Sequence, residues 1–155
     1  MARYAEGTSV SPEASQQEIS GLMRRYGADG FVVGWDGDRA AIQFRRGERL
    51  FRVDLPIPAR ADYQDRRAGN GRVVSGQAAY DAEVRRRWRA LVLTVKAKLE
   101  AIQNGIATFE DEFLAYLMLP DGTTAGPRVL AEVDAARHAG IAPPRLLALP
   151  VGGQG

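Results

Sequence analysis

The stretch "EVRRRWRALVLTVKAKLEA", residues 83–101, sets four arginines around a tryptophan and carries two lysines further on. Cations at this density neutralise phosphate backbones, and an aromatic among them can stack on bases. The competing reading is a buried helix with an ordinary charged outer face. Advancing about 100° per residue from Trp88 keeps Tyr80, Val84, Leu91, Val95, Leu99 and Ile102 on the tryptophan's side. Trp88 is therefore expected in the core, against Ile42, Phe44, Phe51 and Val53, and not as a stacking platform. Arg85, Arg89 and Lys96 fall together on one flank of this stripe, Arg87 and Lys98 on the other, and Arg86 points away. Arginines recur just upstream at 60, 66, 67 and 72. The candidate nucleic-acid-binding set is Arg85, Arg89, Lys96, Arg66, Arg67 and Arg72. The alternative is that carboxylates elsewhere pair with these cations, whose long stems then cover the edge of the core.

Other patterns point away from catalysis. Asp36 and Asp38, in "GWDGDRAAIQF", end an apolar run as the acids of a metal-dependent nuclease would. Such a site needs further carboxylates on parallel strands, and nothing after residue 105 reads as those strands. A hairpin turn explains both aspartates. In "FEDEF", Glu110, Asp111 and Glu112 occupy the first turn of a helix, where acids complement the dipole. No GxxxxGKS/T phosphate loop or GxSxG elbow occurs, and His138 suits a helix C-terminal cap. The expectation is a protein that is not an enzyme and uses no cofactor or metal.

Composition narrows the classes further. The chain has 155 residues, enough for one domain with its own core, and no cysteine. Disulfide frameworks, thiolate zinc sites and thiol nucleophiles are thereby excluded. "MARYAEGTSVSPEASQQ" lacks the apolar centre of a secretory leader, and apolar runs are too short to span a membrane. A cytoplasmic location follows as the expectation. Net charge is only +2 but uneven: residues 59–104 carry ten Arg/Lys against five Asp/Glu, and residues 105–155 three against six. That polarity suits a polyanion, or head-to-tail pairing between copies.

The elements that must position these residues read in order. Ser11 and Pro12 open an amphipathic helix over about 12–26, closed by Gly27. Three β-patterned runs follow ("GFVVGW", "RAAIQFR", "RLFRVDL"), separated by the turn signals "DGD" and "RGE". Residues 56–74 lose all periodicity and are expected to form a long mobile loop. A long helix is expected over 76–103, capped by Ser75 and ended by Asn104-Gly105. Thr108 and Asp111 resemble a capping box for a helix over 109–118, and a last helix runs from Pro127 to about Ala139. Residues 141–155 read as a flexible tail. The fold class is α+β: an N-terminal helix and a three-stranded antiparallel meander packed on a long helix, then two short helices. Residues 1–140 form its single domain.

"RYAEGTSVSPEASQQEI", "RYGADGFVVGWDGDRAAIQFR" and "RRRWRALVLTVKAKLEAIQNGIATFEDEFLAYLMLPDGTTAG" together resemble a family of small uncharacterised bacteriophage and prophage proteins, over about residues 3–126. Members of that family are encoded among phage replication and recombination genes, which implies a role in DNA metabolism. The order of three antiparallel strands and a long helix is also similar to the core of single-strand annealing proteins of the RecT and Redβ kind. Those proteins are oligomers that hold DNA in a basic groove beside the helix. The resemblance implies a single-stranded DNA-binding or annealing protein, homo-oligomeric, without a membrane partner. The alternative is a non-enzymatic interaction module that self-associates or binds a host protein.

Overall fold

The computed structural model describes Ala5 and residues 7–144. Helix α1 spans Pro12–Arg25. Its cap is Ser11, whose Oγ accepts from the Ala14 amide at 3.1 Å, and proline follows where the helix has no use for an amide donor. Ile19 and Met23 fall on one face and are fully buried.

Strands β1 (Gly30–Asp36), β2 (Arg39–Arg46) and β3 (Arg49–Pro56) form an antiparallel sheet in the order β1-β2-β3. Gly37 and Gly47 open the two tight turns at φ +59° and +62°, a region glycine enters without a Cβ clash. Register places Phe31, Phe44 and Phe51 in one row across the sheet and Val33, Ile42 and Val53 in the next. Paired residues share a face, so these rows form the apolar side of the sheet. Phe44 stacks on Phe51 with ring centres 5.1 Å apart.

Helix α2, Gly76–Gln103, has the expected limits: Ser75 Oγ accepts from the Ala78 amide at 3.3 Å, and Asn104 ends the helix before Gly105. Trp88 is only 3% exposed and lies in one cluster with Ile42, Phe44, Phe51 and Val53, as the helical spacing requires. Leu91, Val92, Val95 and Leu99 continue its buried face. Helices on one side of an antiparallel sheet give a two-layer α+β fold, with the outer face of the sheet open to solvent.

Three stretches depart from the expected outline. Helix α3 covers only Phe109–Phe113, held by the Thr108–Asp111 capping box and followed by a 3-10 turn at Leu114–Tyr116. The chain then extends so that Leu117 pairs with Phe51, and the Met118 amide donates to the Leu50 carbonyl at 2.8 Å. The Pro120 that follows disfavours helix in the residues before it. Helix α4, Ala125–His138, begins two residues before Pro127. Proline is accommodated there because first-turn amides have no partner within the helix.

Residues 57–75 contain a 3-10 turn at Arg60–Asp62 and a short ribbon of β4 (Arg66–Arg67) on β5 (Val73–Val74). The tail expected at 141–155 lies, from residue 145 on, outside the described residues. No described helix is long and apolar enough to cross a membrane.

Candidate nucleic-acid interface

The cations of α2 have carboxylate partners in the fold. On one flank, Glu18 of α1 accepts from Arg89 at 2.7 Å and pairs with Lys96 at 2.5 Å, bridging the two helices. The Lys96 hydrogen bond, aided by Arg89, holds the Glu18 carboxyl below its ordinary range despite the opposing effect of burial. Arg85, third member of that flank, is half-buried, with its Nε enclosed and without a hydrogen bond among the described residues. Glu83 serves Arg86 and Arg87 together. Hydrogen bonding by Arg86, with Arg87 contributing, outweighs burial and brings the Glu83 carboxyl down to about 2. Arg86 thus turns back onto its own helix and is only 22% exposed, where the helical spacing directed it outward. Arg87 also donates to the Pro56 carbonyl at 2.6 Å and ties α2 to the end of β3.

Acids read as helix-start residues have structural duties too. Glu110 pairs with Arg46 at 2.6 Å and with Arg49 at 3.3 Å, and Arg46 lies over the Phe109 ring. Lys98 donates to the Glu112 carbonyl at 3.0 Å. Asp36 ends β1 and Asp38 lies in the exposed β1–β2 turn, where its carbonyl accepts from the Ile57 amide at 2.8 Å. Among the described residues no group of three His, Asp or Glu side chains is placed to hold a metal. His138 Nδ1 lies 2.7 Å from the Asp134 carbonyl one turn earlier.

The upstream arginines are placed differently. Arg66, Arg67 and Arg72 are exposed on the β4–β5 ribbon, and none has an ion pair among the described residues. Adjacent strand residues face opposite ways, so Arg66 and Arg67 charge both faces of the ribbon. Its tip is closed by Ala68 donating to the Arg72 carbonyl at 2.8 Å, with Gly71 at φ +77°. Its base is fixed to α2: Asp65 accepts from the Gly76 amide at 2.7 Å, and Arg60 donates to Gln77 at 2.7 Å. Tyr63 meets Tyr80 edge-on, with ring centres 5.7 Å apart. Gly76 is required there, because a Cβ would stand 2.8 Å from the carbonyl carbons of Tyr63 and Gln64.

The six candidate cations therefore divide. Arg89 and Lys96 are joined by Glu18 into a helix–helix clamp, Arg85 sits beside them, and Arg66, Arg67 and Arg72 stand out on the ribbon. Helical spacing could not separate these groups, because Glu18 comes from a different helix.

Two apolar features escaped the sequence reading. Val129, Leu130 and Val133 of α4 are all more than half exposed. Trp35, on the apolar side of β1 by register, is 81% exposed, beyond the cover of the helices. It borders a groove of 640 Å³ that also includes Arg39, Arg52 and Asp54.

Comparison with known proteins finds no matching family model, curated protein or solved structure.

Proposed function

We propose that this protein binds single-stranded DNA without catalysing a reaction, through Arg66, Arg67 and Arg72 on the β4–β5 ribbon. The observation that carries the reading is the contrast between the cations. Those of α2 are largely neutralised within the fold, whereas the ribbon presents three guanidinium groups without an ion pair among the described residues, and residues 66–75 contain no acid. Anchored at its base by Asp65 and Tyr63, the ribbon can hold these charges against a phosphate backbone with little loss of chain entropy. Interactions of this kind position a strand without reading its bases. Sequence-tolerant binding in phage recombination or replication, as the family resemblance implies, fits such a surface.

The test is a fluorescence anisotropy titration of labelled single-stranded oligonucleotides of unrelated sequence at low salt. The reading expects similar affinities for all of them and a marked loss when Arg66, Arg67 and Arg72 are changed together to glutamine. Absence of binding by the wild type ends it.

The exposed apolar stripe Val129, Leu130 and Val133 on α4 favours a second reading, an interaction module that self-associates or docks on a host protein. Sedimentation of the isolated protein separates self-association from a host partner.

A further inference from the structure

The two edges of the main sheet are treated differently. Beside β3, the extended Leu117–Met118 segment pairs with Phe51 and Leu50. Beside β1, no described residue pairs with the outer edge. Natural sheets protect such edges with lysine, proline, a bulge or a covering segment. Between Gly30 and Trp35 the strand reads Gly-Phe-Val-Val-Gly-Trp, with no charge and no proline, and it pairs with β2 in unbroken register. Val32 is 60% exposed and Trp35 81% exposed along this bare edge.

We propose that β1 pairs antiparallel with β1 of a second copy, about a two-fold axis midway between the two Val33 residues, joining two three-stranded sheets into one. The proposal places self-association on the sheet edge, apart from the α4 stripe, and it does not depend on DNA binding. Register follows from geometry. Directly opposed residues share a face of the sheet, and the two-fold axis returns each side chain to its own face. The centre must therefore fall on a residue and not between two.

Centring on Val33 sets Phe31 opposite Trp35 of the second copy, and the symmetry makes this pair twice. Aromatic cross-strand pairs are among the stronger ones. Centring on Val32 would set Asp29 opposite Trp35, and centring on Gly34 would set Val32 opposite Asp36. Neither makes an aromatic pair.

Charge agrees with the Val33 centre. It brings Asp36 of the second copy opposite Gly30, which pairs on its other side with Arg45. Gly30 has no side chain, and the Arg45 guanidinium lies over it: a Cβ at Gly30 would stand 3.7 Å from the guanidinium carbon. Arg45, already bonded to Asp29 at 2.9 Å, thus reaches towards the edge where the second Asp36 arrives. Arg39, beside Asp36 on β2, balances that row.

The test uses the full chain, which has no cysteine of its own. Sedimentation of the wild type at tens of micromolar should give twice the 16.9 kDa of one chain. Val32→Lys, on the exposed side of β1, should return the protein to a monomer that keeps the wild-type circular dichroism spectrum, its melting temperature lower only by the lost stabilisation of association, whereas Leu130→Lys on α4 should leave the dimer intact. In the proposed register Val32 opposes Gly34, so Val32→Cys mixed with Gly34→Cys should form a disulfide-linked dimer that neither variant forms efficiently alone. A monomeric wild type overturns both this proposal and the self-association reading. A dimer that survives Val32→Lys, or efficient linking of either cysteine variant to itself, overturns the proposed interface or its register and leaves self-association standing.

Discussion

The Asp65 carboxylate accepts the Gly76 amide at 2.7 Å, so the residue just before the arginine ribbon caps the first turn of the long helix. Gly76 is buried against the Tyr63 and Gln64 backbone, closer than any side chain allows. Gly76→Ala should therefore destabilise the protein by about 1–3 kcal/mol, as overpacked sites do. Helix propensity alone predicts the opposite sign, since alanine is favoured over glycine by about 1 kcal/mol inside a helix. Urea denaturation decides between them, and faster tryptic cutting after Arg66 or Arg67 should accompany the loss.

Trp88 fills the space between α2 and the sheet, beside Ile42, Phe44 and Val53. Trp88→Ala should cost about 3–5 kcal/mol, the usual range for emptying a large aromatic site in a core. A melting temperature equal to that of the wild type would contradict the packing described.

Glu83 titrates in the folded protein at about 2, against an ordinary value of 4.5, because Arg86 and Arg87 bond to its charged form. A lowered folded value means that the stabilisation is complete above the ordinary value and is lost as pH falls towards 2. Wild-type stability should fall by on the order of 1 kcal/mol across that window from this group, after allowance for solvent screening. Glu83→Gln should remove that part of the acid slope. An identical slope in both proteins would show that the Arg86–Glu83–Arg87 cluster is not formed in solution.

Local signals made much of the fold legible. Ser75, Asn104 and Gly105 fixed α2 because caps act through their nearest neighbours in the chain. The Thr108–Asp111 box did the same for the start of α3, but nothing local marked its early end at Phe113. Residues 57–75 resisted reading because their ribbon is set by packing on α2, Tyr63 to Tyr80 and Asp65 to Gly76, which leaves no periodic trace. Charge was harder than shape. Helical spacing placed Arg89 and Lys96 on one flank, but their partner Glu18 is more than seventy residues from both in the chain. Trp35 alternates as an inward residue, and only the extent of the covering helices leaves it exposed.

The Glu18 clamp gives a direct comparison between helix and ribbon. Glu18→Gln removes the charge that neutralises Arg89 and Lys96 while keeping the side chain's size. If the ribbon holds the DNA, affinity should change by less than about threefold, the small effect expected of a charge away from the bound strand at physiological salt. A tenfold or greater gain would move the site to the helix flank.

The most direct test of the account is the salt dependence of single-stranded DNA binding. Log affinity against log salt should be linear for the wild type. The triple change Arg66→Gln, Arg67→Gln, Arg72→Gln should reduce the slope by about 2, ~0.7 for each phosphate that is no longer neutralised. Changing Arg89 and Lys96 to glutamine should leave the slope near that of the wild type, with lower stability. Equal slopes for the wild type and the ribbon variant, or a reduction confined to the helix variant, would contradict the assignment of DNA binding to the ribbon.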